Sequence, residues 1–157
     1  MHADLIMTKD LVTCGPDQTI SEVIDLLHDK SVRMVPVVDD NNHILGAINT
    51  LTFLSSLVPE YIVQGYLKSI PYAPDMGVLR KHYREILNHK VSDVMDRDPT
   101  IVMESESLLS VTAALITYDR FEYALVVDKQ QKLLGIVASS DILRCLNKFS
   151  PEELFDA

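Results

Sequence analysis

The chain has 157 residues, a net charge of −9 and 47% hydrophobic residues. That is enough apolar material for one compact domain or two small halves packed together. The negative charge argues against a general nucleic-acid binder, which needs a basic surface, but leaves room for a small anion in a local basic pocket. The longest apolar runs fall well short of a bilayer span, and no basic region followed by an apolar one opens the chain. No membrane span and no signal peptide are therefore expected, and a cytoplasmic location is.

In chain order, one helical turn is expected at Leu5, Ile6 and Met7, then a short strand at Leu11-Val12-Thr13-Cys14, stopped by Gly15-Pro16-Asp17. Thr19 and Glu22 have capping-box spacing, so a helix starts at Thr19, with Ile20, Val23, Ile24, Leu26 and Leu27 on its apolar face. Met34 to Val38 and Ile44 to Ile48 read as paired strands around the turn cluster Asp39-Asp40-Asn41-Asn42, and Thr50 to Leu57 closes the unit as a helix. Val58 to His89 is too long for a structureless loop and reads as two more helices around a break at Ile70-Pro71-Tyr72-Ala73-Pro74. The second of these carries Val78, Leu79, Tyr83, Ile86 and Leu87 on one side, with Arg80, Lys81 and Arg84 opposite. His82, Glu85 and His89 line one strip of it, a spacing read as solvated helix surface ahead of a metal site.

From Lys90 the order repeats. Met95-Asp96 matches Met7-Thr8, Thr100-Ile101-Val102 matches Val12-Thr13-Cys14, and Ser107 opens a helix with Leu108, Val111, Ala114, Leu115 and Tyr118 inside. Tyr123 to Val127 and Leu133 to Val137 are the paired strands, and Ser139 begins the closing helix. Early parts align at an offset of 88, as between Thr19 and Ser107, and later parts at 89, as between Gly46 and Gly135. At the later offset Val37, Val38, Asp39, Leu45, Gly46, Leu54 and Leu57 all meet identical residues, which points to internal duplication. Pro151-Glu152-Glu153 fits the first turn of a small end helix. Cys14 and Cys145 sit in apolar segments and are expected as buried thiols rather than a disulfide.

The fold class is thus α/β (α+β). Two β-α-β-β-α repeats, residues 1–57 and 91–157, are expected to pack with pseudo-twofold symmetry, with a helical insertion at 58–90.

Met34-Val35-Pro36-Val37-Val38-Asp39 with Ile44-Leu45-Gly46, and Tyr123-Ala124-Leu125-Val126-Val127-Asp128 with Leu133-Leu134-Gly135-Ile136-Val137, resemble the motifs of a stand-alone tandem cystathionine-β-synthase (CBS) domain pair, or Bateman module. The resemblance implies two clefts between the repeats, which in many members bind adenosine derivatives such as AMP, ADP, ATP or S-adenosylmethionine. It implies a ligand motif Gly-hydrophobic-x-Thr/Ser-x-x-Asp, whose Asp meets ribose and whose Thr/Ser and helix start meet phosphate. The second repeat keeps Gly135 and Asp141 but places Ala138 at the Thr/Ser position, with Ser139 and Ser140 beside it. A carboxylate accepts from both hydroxyls of a vicinal diol, and a helix N-terminus favours an anion. The same residues also make ordinary cap chemistry, Asp in a first turn after a Ser N-cap, and both readings stay open. The first repeat has Asn49 and Thr52 at these positions with Thr13 nearby, and is expected to be degenerate.

The better cleft by resemblance joins Asp141, Ser139, Ser140, Ala138, backbone near Thr100, Ile101, Val102 and Ile136, and Arg33 toward phosphate. At Arg33's counterpart stands Glu122. The expected function is a regulatory module that senses an adenosine-type ligand, assembles as a homodimer and acts on an effector protein. It needs no cofactor, and no catalytic set is found. The alternative is a dimerisation or interaction module with degenerate clefts.

Overall fold

The computed structural model describes residues 1–64, 75–118 and 122–149. The expected break at Ile70–Pro74 and the end helix at Pro151 lie outside these residues. A single 3-10 turn covers Ala3–Leu5. It is followed by α1 (Ile20–Asp29), β1 (Met34–Val38), β2 (Ile44–Asn49), α2 (Thr50–Leu57), α3 (Glu60–Val63), α4 (Asp75–Ile86), α5 (Val91–Val94), β3 (Ile101–Met103), α6 (Leu108–Tyr118), β4 (Tyr123–Val127), β5 (Leu133–Ala138) and α7 (Ser139–Lys148).

The caps set both long first helices. At α1 the Glu22 N–H donates to Thr19 Oγ1 at 3.3 Å and the Thr19 N–H donates to Glu22 Oε2 at 3.2 Å. At α6 the Ser110 N–H donates to Ser107 Oγ at 3.1 Å, 88 residues on. Helices at matching positions therefore start on matching caps, and Val23 and Val111, at equivalent places, are both fully buried.

The strand expected over Leu11–Cys14 is absent, and only Cys14 bridges to Val37. The Cys14 N–H donates to the Pro36 carbonyl at 3.0 Å and the Cys14 carbonyl accepts from Val38 N–H at 2.9 Å. The next rung would need an N–H on Pro36, which proline lacks. In the second repeat Leu125 holds that place and its N–H donates to the Thr100 carbonyl at 2.8 Å, so β3 forms and pairs parallel to β4.

The chain divides into two compact units that do not follow the two repeats as written along the sequence. One contains Val12–Asp39 and Leu45–Arg97; the other contains Met1–Leu11, Asp40–Ile44 and the chain from Asp98. In the second, Thr8 and Ile136 exchange backbone hydrogen bonds of 2.8 and 3.0 Å. In the first, the equivalent Asp96 and Ala47 exchange two of 2.9 Å. The segment that precedes each repeat thus pairs with the last strand of the other. Glycine is needed where it passes. A Cβ on Gly135 would lie 2.7 Å from Met7 Sδ and 2.9 Å from the Thr8 carbonyl, and one on Gly46 would collide with the Asp96 carbonyl.

Each unit has its own core. Cys14, Ile20, Val23, Val35, Val37, Ile48, Leu57, Ile86, Val91 and Met95 form one. Ala3, Val102, Val111, Ala124, Val126, Val137 and Ile142 form the other, with Leu108, Ala114 and Leu115 packed on it. Two expectations fail at helix surfaces. Tyr118, the last residue of α6, is 56% exposed rather than inside, and Val78 and Leu79 on α4 stay more than a third exposed. Of the named α4 face only Ile86 is buried, and Tyr83 meets the Phe53 ring edge-on at 6.0 Å.

Candidate functional site

β5 runs directly into α7, and the turn between them carries the residues singled out in the second repeat. The N-cap is Ala138, one residue earlier than the serine cap expected, in extended conformation and with no side-chain acceptor. Ser139 is the first helical residue; its N–H donates to the Glu122 carbonyl at 2.9 Å. Ser140 is exposed. Asp141, at the third helical position, accepts the Ala138 N–H on Oδ2 at 2.9 Å and Arg144 Nη1 on Oδ1 at 3.3 Å. Half of a capping box is present, because the alanine cannot return the bond. Asp141 has a side chain only 16% exposed, yet a carboxylate offers about four acceptor positions, so this pairing does not saturate it.

The first repeat solves the same turn differently. Asn49 is the N-cap of α2, and its Oδ1 accepts both the Thr52 N–H at 2.6 Å and the Thr52 hydroxyl at 2.9 Å. Its helix start is closed by its own amide. The α7 start has a methyl group at that position, and its leading N–H groups receive no side-chain cap.

The other candidates divide by role. Thr100 is buried and its carbonyl is held by Leu125. Val102 is core, while Ile101 is 43% exposed. The Ile136 N–H and carbonyl both bond to Thr8. Arg33 is exposed ahead of β1, in the other compact unit; Thr13 is exposed there as well. His82 Nδ1 lies 2.8 Å from the Leu57 carbonyl, and no cluster of metal-ligating side chains is found among the described residues.

A groove of about 240 Å³ lies along α7, lined by Leu5, Ile6, Asp141, Arg144, Cys145, Lys148 and Phe149. Asp141 is singled out by the sequence, whereas Arg144 and Lys148 join it only in the folded groove. Their spacing from Asp141, about one and two turns along α7, was the available signal. The groove is below the ~300–1,000 Å³ of sites that enclose a whole ligand and suits part of one. It places two cations and a carboxylate along one side of α7, a set able to meet a phosphate or a pair of hydroxyls.

Residues 3–58 and 91–148 match the CBS domain family, so the chain belongs to that family and carries a tandem pair of its domains. Among particular relatives, inosine-5'-monophosphate dehydrogenase of Methanocaldococcus jannaschii is 28% identical over 90% of this chain, which spans 23% of that enzyme. The chloroplastic CBS domain-containing protein CBSX2 of Arabidopsis thaliana is 26% identical over 87% of this chain, which spans 58% of it. The structure of CBSX2 in complex with AMP superposes with a TM-score of 0.70 at 23% identity, covering 94% of this chain and 96% of that one. A CBS domain-containing protein from Bacillus anthracis superposes with a TM-score of 0.74 at 16% identity, covering 96% and 95%. These likenesses establish the fold. Among the described residues no helix is long and apolar enough to cross a membrane.

Proposed function

We propose that this CBS pair is a regulatory module that binds an adenosine-type ligand, AMP, ADP, ATP or S-adenosylmethionine, at the start of α7. Asp141 accepts from the ribose hydroxyls, exposed Ile101 and half-buried Ile136 border the base, and the N–H groups of α7 that follow Ser139 meet phosphate, with Arg144 and Lys148 further along the groove as its cations. Arg33 is retained as a phosphate residue on the family resemblance alone. The observation that carries the reading is the contrast between the two helix starts: α2 is closed by Asn49, whereas α7 has Ala138 and an under-used carboxylate. AMP bound to CBSX2 supports the ligand class. Occupancy acts through differential affinity for two shapes or assemblies, a homodimer among them, and is passed to an effector protein.

Calorimetry with the four ligands tests this. Wild type is expected to bind at least one. Asp141→Asn keeps a cap acceptor, so its fold is retained while affinity falls about 10- to 100-fold, the range of a lost charged hydrogen bond. No heat from any ligand, and no excess absorbance at 260 nm in the purified protein, favours the interaction module with degenerate clefts, which the self-bonded Asn49–Thr52 pair supports for the first repeat.

A further inference from the structure

The groove along α7 has a counterpart in the other compact unit. A pocket of about 380 Å³ is lined there from α2, α4 and α5, with Ser56, Pro59, Asp93 and Val94 among its residues. At the two offsets of the duplication these are the copies of Cys145, Lys148, Leu5 and Ile6, which line the α7 groove. Each unit therefore has a hollow at the same place, between its closing helix and the leading segment paired to its last strand.

In the first repeat the insertion adds a further wall. α4 and the residues after it bring His82, Glu85, Ile86 and His89 to the pocket. That wall is fixed. Ile86 is buried in the core of the unit, Tyr83 meets Phe53, and His82 Nδ1 lies 2.8 Å from the Leu57 carbonyl. Beyond α4, the His89 and Leu87 carbonyls accept the Ile20 and Ser21 N–H groups at 3.0 Å each, so the start of α1 holds the backbone at His89. With this wall the volume reaches the ~300–1,000 Å³ of sites that enclose a whole small ligand.

Its polar groups offer acceptors. A carbonyl only accepts, so His82 Nδ1 carries the proton, and Nε2 of the neutral ring is left as an acceptor. The Ser56 hydroxyl donates to the Phe53 carbonyl and keeps its lone pairs. Asp93 takes the Lys90 N–H on Oδ2 at 3.3 Å and keeps Oδ1. Glu85 has Lys81 at 4.0 Å, an exposed pair of the weak kind. Among the described residues no Lys or Arg lines the pocket, while Val58, Pro59, Ile86 and Val94 give it apolar walls.

We propose that this pocket binds a small organic cation, an amine or guanidine on a hydrocarbon stem. The head donates its N–H groups to Glu85, Asp93 and His82, and the stem lies on the apolar walls. A metal ion is the competing cation. It needs several ligands converging on one point, and no such group of His, Cys, Asp and Glu side chains is found among the described residues. The pocket shares no lining residue with the α7 groove and stands whether or not a nucleotide binds there.

Calorimetry of the full chain with agmatine, a guanidine and an amine on a butyl stem, tests this. Butanol and succinate serve as the neutral and anionic controls. Agmatine is expected to bind one to one, and the controls are expected to give no heat. Glu85→Gln and Asp93→Asn keep the side-chain shapes, and the second keeps an acceptor for the Lys90 N–H. Each should weaken agmatine about 10-fold, the low end of a lost charged hydrogen bond, with the urea midpoint unchanged. Asp25→Asn removes an exposed carboxylate of α1 outside the pocket and should leave the affinity as it was, which separates the site from the attraction of the net charge. AMP should neither displace agmatine nor lose affinity in Glu85→Gln. No heat with agmatine overturns the proposal, as does an equal loss in Asp25→Asn. Zinc bound in place of agmatine overturns it in favour of a metal site. Displacement of agmatine by AMP overturns the assignment to this pocket, whereas absence of AMP binding alone bears only on the nucleotide reading.

Discussion

Cys14 shows how far a single buried group departs from its exposed chemistry. Burial pushes its thiol up from an ordinary 9.0 to about 11. The unfolded chain therefore releases this proton before the folded one, and stability falls as pH rises from about 9 to about 11. The expected loss is up to about 2–3 kcal/mol, and it should vanish in Cys14→Ala when urea midpoints of the two proteins are compared across that range. A Cys14 contribution that is flat with pH would show the thiol to be hydrated. At Asp141 residue identity has two readings at once. It is half of a cap and it is a nearly enclosed carboxylate beside two cations, and only the pairing of Asp141→Asn with binding data separates them.

At the scale of elements, the two repeats run the same program with single substitutions that change the outcome. Pro36 in place of a donor reduces the first strand of one repeat to a bridge, while Leu125 lets the other build β3. Asn49 caps α2 with its side chain, and Ala138 leaves α7 without that cap. Transferring the first solution to the second place gives a prediction with opposite signs. Ala138→Asn should stabilise the protein by about 1 kcal/mol, the usual value of an N-cap, and raise its midpoint in urea. It should also weaken nucleotide binding, because the amide occupies the N–H groups proposed for phosphate. Equal or tighter binding in that variant would move the phosphate elsewhere.

On the scale of the whole molecule, the notable feature is the exchange of leading segments. Thr8 belongs by sequence to the first repeat but is bonded to β5 of the second, and Asp96 does the reverse with β2. Thr8→Pro removes the N–H given to the Ile136 carbonyl and should loosen the unit beginning at Asp98 by about 1–3 kcal/mol, the cost of an unmet buried acceptor. Hydrogen exchange should rise in β5 and α7 more than in α1 and β1. Faster exchange confined to α1 and β1 would contradict the exchange of segments. Asp96→Pro should show the mirror pattern.

The sequence by itself determined the elements. Capping residues, apolar periodicity, turn clusters and a repeated register specified α1, β1, β2, α2, α6, β4 and β5 nearly to the residue, because these signals are local and the duplication states them twice. It also led to Asp141, since a carboxylate after a strand-to-helix turn is visible in one dimension. What tertiary structure alone decided were matters of partnership. Pairing across 128 residues from Thr8 to Ile136, the closing of one helix start by Asn49, the approach of Arg144 and Lys148 to a common groove, and the exposure of Tyr118 all depend on which segment lies beside which. Periodicity tells which face of a helix is apolar but not what covers it.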